Sequence, residues 1–217
     1  NRQNGESFDD EQIEEYLQTP DDNILYHVVA ALHKGISIEK IYHLSAIDPW
    51  FLKKINNIIE VERRLKSSVL DQKLLSDAKK SGFSDKQIGR AVNKEELEVR
   101  KIRKDFGIIP VVKQIDTLAA EWPAETNYLY LTYGGTENDI SITKKDSGII
   151  VLGAGPYRIG SSVEFDWGTV NMVWGLQDGG EKNVVVVNCN PETVSTDYDI
   201  CSRLYFEELT LERILDI

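Results

Sequence analysis

The stretch that most constrains the fold is 148–217, because it holds a strand, a glycine-rich turn, a helix and a second strand in direct succession. The apolar run 149–152 predicts a strand buried on both faces. Three glycines follow, Gly153, Gly155 and Gly160, and glycine allows a sharp turn and a close approach of the backbone. A helix and a four-valine run complete the pattern. This order predicts one right-handed crossover unit of a parallel sheet.

The turn at 153–160 is a poor match to the common phosphate-binding fingerprints. Its spacing is G-x-G-x-x-x-x-G, whereas a dinucleotide-binding turn reads G-x-G-x-x-G. The second strand ends in Asn188, where a ribose-binding site needs an acid. A P-loop needs a lysine, and this turn has none. Two interpretations stay open: the glycines serve only the tight turn, or they let the backbone lie close to a ligand or a tunnel wall.

The composition limits the class of protein. A chain of 217 residues that is 41% hydrophobic can form one large or two small domains with packed cores. The net charge of −11 argues against nucleic-acid binding, which needs a basic surface. Cys189 and Cys201 are too few for a metal cluster or a disulfide framework, so a reducing compartment is expected. No apolar run approaches the about twenty residues of a membrane span, and no signal peptide is visible.

The first half of the chain has the apolar spacing of helices. Asp48-Pro49 predicts the start of the longest one, because an acid suits the N-cap and proline suits the first helical position. Ser84 and Gln87 form a capping box that opens a short helix, and another helix is predicted at 94–106. The pair has the spacing of a helix-turn-helix. Its second helix starts with glutamates where DNA would lie, so a packed helical hairpin is favoured over DNA binding.

The segment 118–147 is predicted to have little regular structure of its own. Prolines and Gly134-Gly135 interrupt it, and the aromatic run 128–133 predicts an extended arm that lies across another domain. Farther along, 203–207 predicts a third strand, and a final helix follows. A piece of three strands that ends in a helix is predicted to be an unfinished domain.

Three sequence motifs near the C-terminus resemble those of a known family. They are RIGSSVEFDW at 158–167, NCNPETVSTDYD at 188–199 and RLYFE at 203–207. They look like the start of the second, carbamoyl-phosphate-forming half of the large subunit of carbamoyl phosphate synthetase. The segments 113–123 and 126–130 resemble the stretch just upstream in that family, and 47–52 and 82–88 resemble its helical oligomerisation domain.

The resemblance implies a multidomain architecture. An all-α, oligomerisation-type domain is expected at 8–117 and an extended connector at 118–147. An incomplete Rossmann-like parallel α/β unit, of the pre-ATP-grasp kind, is expected at 148–217. The chain is then a fragment that lacks both ATP-grasp domains. It is expected to be inactive and to bind no cofactor by itself.

The resemblance also implies the chemistry of the parent protein. The parent is expected to be an ATP-dependent carbon–nitrogen ligase that makes carbamoyl phosphate, for arginine or pyrimidine synthesis, from bicarbonate, ammonia or glutamine, and two ATP, with Mg²⁺ and K⁺. The implied partners are the remaining domains of the large subunit, a glutamine amidotransferase, and further copies in a homo-oligomer. The implied location is the cytoplasm, or mitochondria for a eukaryotic parent. No membrane or nucleic-acid partner is expected.

Two glutamates are the candidate site residues. In the resembled family, glutamates at the motif positions of Glu164 and Glu192 line the inner tunnel that carries carbamate between two active sites. Arg158 belongs with Gly153, Gly155 and Gly160 to the neighbouring turn.

Plainer roles for these residues stay open. The two acids could be ordinary helix N-terminal residues favoured by the helix dipole. The chain could also be a stand-alone interaction module or a nucleotide-binding regulatory module. No residue is predicted to be catalytic. No metal site is predicted either, because the three histidines have no cysteine or carboxylate at metal-ligand spacing.

Overall fold

The computed structural model describes residues 10–123, 126–141, 148–156 and 163–217. The chain divides into two compact units, with the division between Glu96 and Leu97. This division lies about twenty residues before the expected domain boundary at 117/118, because the last helix of the helical segment belongs to the second unit. No helix in the described ranges is both long enough and apolar enough to cross a membrane.

The first unit is helical. Its described helices are α1 (Asp10–Gln18), α2 (Ile24–His33), α3 (Ile38–Ser45), α4 (Pro49–Ser67), α5 (Gln72–Lys80) and α6 (Asp85–Val92). One core cluster combines side chains from α1 to α4: Ile13, Leu17, Val28, Ala31, Leu32, Ile41, Leu52 and Ile59. The amphipathic spacing of the sequence therefore becomes one shared core.

Local capping explains where two of these helices begin. The Asp48 carboxylate accepts the backbone N–H of Trp50 at 2.7 Å, and Pro49 takes the first position of α4. In the predicted capping box, the Gln87 N–H donates to the Ser84 hydroxyl at 3.1 Å, and the Ser84 N–H donates to the Gln87 side chain at 2.8 Å. Both starts were predictable because each cap lies within three residues of its partner.

A buried ion pair joins the end of α5 to the start of α6. The Lys79 ammonium lies 3.1 Å from the Asp85 carboxylate, and the two side chains are 1% and 0% exposed. By contrast, the Arg64–Asp77 pair between α4 and α5 has the same separation of 3.1 Å, but its side chains are 45% and 36% exposed. The two pairs differ chiefly in their access to water.

The second unit combines a five-stranded sheet with helices. Its elements are α7 (Glu96–Asp105), β1 (Val111–Gln114), β2 (Tyr128–Thr132), β3 (Ile149–Leu152), α8 (Val163–Asp178), β4 (Val184–Asn188), β5 (Arg203–Phe206) and α9 (Leu211–Asp216). The strand order is β1-β2-β5-β4-β3. β1 and β2 pair antiparallel, and the other neighbours pair parallel. The predicted combination of a helical domain and an α/β unit is confirmed.

The sheet has five strands where the sequence predicted three. β1 lies within the segment expected to close the helical domain, and β2 lies within the segment expected to be a connector. β2 pairs with β5 in register, Tyr128 with Leu204 and Leu129 with Tyr205. The alternating Leu129 and Leu131 are buried at 1% and 5% exposure, because they pack with Val185 and Val187 on one face of the sheet. The predicted arm is thus an inner strand of this unit.

The prediction that 149–152 is buried on both faces is wrong. Ile149, Ile150 and Leu152 are 41%, 38% and 54% exposed, and only Val151 is buried. The reason is position, because β3 is the last strand in the sheet order and pairs with β4 alone among the described strands. β4, which lies between β3 and β5, is buried at every residue.

Helices cover both faces of the sheet. Val170 and Val173 of α8 pack with β3, β4 and β5 on one face, whereas Ile214 of α9 packs on the other. Charged groups secure α9 as well: Asp216 accepts hydrogen bonds from Arg100 and, at 2.9 Å, from Arg103.

Candidate functional site

The candidate site is the edge of the sheet at which β3, β4 and β5 end. These strands run parallel, so the segments that follow them lie at the same edge. Ligands of open α/β sheets bind at this kind of edge. Two segments build the described part of the site: the turn 153–156, after β3, and the loop that follows β4, residues 189–197, here called the Glu192 loop.

Gly153 allows the first segment to lie against β4. A Cβ at this position would lie 3.0–3.2 Å from atoms of the Asn188 side chain, which is tighter than most real contacts. The Gly153 N–H donates to the Val187 carbonyl at 2.8 Å, and the Cys189 N–H donates to the Ala154 carbonyl at 3.1 Å. The absence of a side chain thus lets the β3–β4 pairing continue into the turn. A Cβ at Gly155 would meet no atom within 4 Å.

Two asparagines hold the start of the Glu192 loop. The Asn188 side-chain oxygen accepts the N–H of Asn190 at 2.9 Å, and the Asn190 side-chain oxygen accepts the N–H of Glu192 at 3.0 Å. Each asparagine thus binds the backbone two residues ahead, a typical turn-forming contact. Asn188 and Asn190 are 0% and 7% exposed, whereas Glu192 is exposed. The loop therefore presents an accessible carboxylate on a firmly held backbone.

A short 3-10 turn, Val194–Thr196, closes the loop. The Thr196 hydroxyl donates to the Thr193 carbonyl at 2.6 Å and accepts the Thr193 N–H at 3.3 Å. The Ser195 hydroxyl accepts the side-chain N–H of Asn188 at 2.8 Å. Ser195 and Thr196 are buried, so the closing turn is anchored inside the protein.

The start of α8 contacts the same turn. The Ser195 N–H lies 3.2 and 3.3 Å from the two carboxylate oxygens of Asp166, which is 7% exposed. Charged acceptors make the stronger hydrogen bonds of proteins. The structure thus brings the first turns of α8 and the Glu192 loop together.

The predicted site residues are described to different extents. Gly153, Gly155 and Glu192 lie at the sheet edge as described above. Arg158 and Gly160 lie outside the described residues. Glu164 lies in α8 by its backbone, and its side chain lies outside the described part. A common path lined by Glu164 and Glu192 therefore stays a prediction.

Glu207, the residue that directly follows β5 at this edge, was not among the site residues predicted from the sequence. Glu207 is 8% exposed; it accepts the Leu131 N–H and lies 3.2 Å from the Arg213 guanidinium. Burial raises the pKa of Glu207, whereas the Leu131 N–H and Arg213 act to lower it. Its place just after a strand was the available signal. The contact with β2, which revealed its partner, was not available from the sequence.

The Cys189 thiol, at the start of the Glu192 loop, is partly shielded from water. Burial raises the pKa of the Cys189 thiol, and the nearby Glu208 and Glu207 add to that effect. Across the described ranges, no group of three or more His, Cys, Asp or Glu side chains could hold a metal ion. The described groups of the edge are thus the exposed Glu192 carboxylate, the buried Glu207 carboxylate, the half-buried Cys189 thiol and a buried polar network.

Comparisons with known proteins identify the two parts of the chain. Residues 1–107 match the model of the carbamoyl-phosphate synthetase large chain, oligomerisation domain. Residues 145–217 match the model of the carbamoyl phosphate synthase preATP-grasp domain. These matches agree with the order of domains expected from the sequence.

Known relatives are similar over nearly the whole chain. Multifunctional protein CAD of Squalus acanthias is 50% identical over 208 residues, which are 94% of this chain and 9% of the relative. The ammonia-type mitochondrial carbamoyl-phosphate synthase of Homo sapiens is 50% identical over 93% of this chain and 13% of the relative. The arginine-specific large chain of Eremothecium gossypii is 51% identical over 94% of this chain and 19% of the relative. The chain thus spans between 9% and 19% of the length of these relatives.

Proposed function

Because this chain belongs to the carbamoyl phosphate synthetase large-chain family, we propose that it serves a synthetase as an assembly segment and as part of a carbamate path. It corresponds to the oligomerisation and pre-ATP-grasp domains of such a large chain. In the whole protein, bicarbonate is phosphorylated by one ATP, ammonia displaces the phosphate to give carbamate, and a second ATP phosphorylates carbamate. Mg²⁺ and K⁺ support these steps at ATP-grasp domains outside this chain.

A closed path matters for this chemistry because carbamate decomposes quickly in water. Walls that exclude water prevent such side reactions. The Glu192 loop suits this task since two asparagine side chains and a buried 3-10 turn hold its backbone. The observation that carries the proposal is the exposed Glu192 carboxylate on this held loop, at the edge of the sheet where α/β proteins bind ligands. Glu164 is proposed as a second wall residue.

The proposal includes a Rossmann-like arrangement of the second unit. The succession β3–α8–β4, with parallel pairing of the two strands, supports a Rossmann-like unit. The unit is proposed to become complete with further domains of the large subunit. A glutamine amidotransferase, as subunit or domain, would supply ammonia, and the helical unit would join copies of the whole protein into a homo-oligomer.

The test replaces Glu192 by alanine in a full-length synthetase that contains this segment. The two quantities to measure are carbamoyl phosphate formed and ATP hydrolysed in the presence of bicarbonate. The expected result is less carbamoyl phosphate per ATP, because carbamate is lost to water after it forms, whereas bicarbonate-dependent ATP hydrolysis continues.

Asp178→Asn is the matched control, since Asp178 is an exposed acid at the far end of α8. This variant should keep the ratio of the unmodified enzyme. An unchanged ratio in Glu192→Ala would contradict the tunnel role. In that case the segment would keep only its role in assembly, which light scattering of the isolated chain measures directly.

A further inference from the structure

We propose that Asp166 is a positioning residue that sets the distance between α8 and the Glu192 loop. The inference rests on the proposed function, because it explains how the loop keeps a fixed place in a tunnel wall. Asp166 itself is 7% exposed and is placed to act through Ser195 rather than by contact with carbamate.

The contact that carries the inference is buried and specific. Both carboxylate oxygens of Asp166 lie within 3.3 Å of the Ser195 N–H. Ser195 is 0% exposed, so water does not replace this acceptor if it is lost. An unsatisfied buried N–H is costly, and a charged acceptor makes this bond one of the stronger ones. The 3-10 turn should therefore follow the position of Asp166 closely.

Ser195 connects three elements through one residue. Its N–H bonds to α8, and its hydroxyl accepts the side-chain N–H of Asn188 at the end of β4 and lies 3.1 Å from the Thr193 hydroxyl in the loop. Glu192 lies between two anchors along the chain: Asn190 precedes it, and Ser195 follows it. Loss of Asp166 removes the anchor to α8 and leaves the asparagine anchor in place. The loop should then move at its second half while β4 stays intact.

The hydrogen bond from Ser195 to Asp166 links the two elements that carry the predicted wall residues. Asp166 lies two residues after Glu164 on the same helix, so the bond to Ser195 ties the helix that carries one predicted wall residue to the loop that carries the other. A loop that separates from α8 would lose its fixed distance to the helix that carries Glu164. Asp166 is thus expected to affect the escape of carbamate without taking part in its chemistry.

The first experiment measures amide hydrogen exchange by NMR in this chain, residue by residue. Asp166→Asn keeps the size of the side chain and removes its charge. We expect exchange at the Ser195 amide to speed up by about tenfold or more, whereas exchange at Glu192, whose N–H donates to Asn190, and at Val186 in β4 stays within about twofold. Asp178→Asn, on the same helix, should change none of the three amides. Unchanged exchange at Ser195 in Asp166→Asn would overturn the inference.

A charge-preserving variant covers the case in which Asp166→Asn does not fold. Asp166→Glu keeps the carboxylate and moves it by one methylene group. Its exchange at Ser195 should be faster than in the unmodified chain. In the coupling measurement below, it should also lower the ratio of carbamoyl phosphate to ATP hydrolysed. Failure of either result would count against a positioning role.

The second experiment separates this inference from the proposed function. In the full-length synthetase, Asp166→Asn should lower the ratio of carbamoyl phosphate to ATP hydrolysed and leave the KM for bicarbonate within about twofold. Faster exchange with an unchanged ratio would retain the Asp166 anchor and refute the tunnel role of the loop. A lower ratio without faster exchange would refute the anchor and leave the tunnel role standing.

Discussion

The Lys79–Asp85 ion pair gives the sharpest test of how the helical unit is stabilised. Asp85→Asn preserves the shape of the side chain and removes its charge. The two side chains are 1% and 0% exposed, so the remaining Lys79 ammonium would stay in a site that water does not reach. Loss of one partner of a buried pair typically costs about 3–5 kcal/mol, because an uncompensated charge remains.

The geometry supports a cost of this size. Two unit charges 3.1 Å apart attract by about 5 kcal/mol at an effective dielectric constant of about 20. Domains are stable by only about 5–15 kcal/mol. Asp85→Asn should therefore remove a large share of the stability of the first unit.

The assay is urea denaturation followed through the NMR signals of Leu75 and Ile88, which are buried in this unit. Asp77→Asn is the matched control: it breaks the Arg64–Asp77 pair, which has the same 3.1 Å separation but is exposed, and should cost about 1 kcal/mol or less. Lys79→Met combined with Asp85→Leu should recover most of the loss, because well-packed apolar residues can replace a buried pair. If Asp85→Asn cost no more than Asp77→Asn, burial would not be the cause that we assign.

Three further predictions concern the second unit. Burial raises the pKa of Cys201 from 9.0 to about 11. Its thiol should therefore react with iodoacetamide about a hundredfold more slowly at pH 8 in the native chain than in urea, because the thiolate is the reactive form. Mass spectrometry measures both rates, and equal rates would contradict this prediction. This raised pKa also means that the neutral thiol contributes stability that is complete below pH 9.0 and is lost as the pH rises through about 11. Burial raises the pKa of Glu207 above 4.5, so its stability contribution is complete below 4.5 and is lost as the pH rises through the folded value. As the pH rises above 4.5, the unfolding free energy of the unmodified chain should thus fall relative to that of the Glu207→Gln variant. If urea titrations gave the two chains the same pH dependence, this prediction would be refuted. Gly153→Ala should destabilise the unit by about 1–3 kcal/mol, because the added Cβ would lie 3.0 Å from the Asn188 side chain. Gly155→Ala places its Cβ in open space and should be nearly neutral in the same urea titrations.

Several features of the site were predictable from local signals. The glycines at 153 and 155 and the strand that ends in Asn188 follow from short sequence motifs. The hydrogen bonds from Asn188 and Asn190 span two residues each, which is the range that sequence patterns describe well. The Asp166–Ser195 contact spans 29 residues, and no local pattern indicates it.

The same difference between local and long-range contacts explains why the burial of β3 and the role of β2 were predicted wrongly. A four-residue apolar run indicates a strand, but its burial depends on how many neighbours the sheet provides. β3 has one neighbouring strand in the described structure and is exposed, whereas β4 has two and is buried. β2 was interpreted as an arm because its partner, β5, lies more than seventy residues later in the chain.

The amino-acid sequence by itself determined where α4 and α6 begin, the order of strand, turn, helix and strand after residue 148, and the family to which the chain belongs. These properties depend on residues within a few positions of one another or on words that relatives share. Only the tertiary structure decided which strands are neighbours, which apolar side chains are buried, and that Asp166 holds the loop of Glu192. Such properties depend on contacts between distant parts of the chain, whose free energy is gained only when the elements pack.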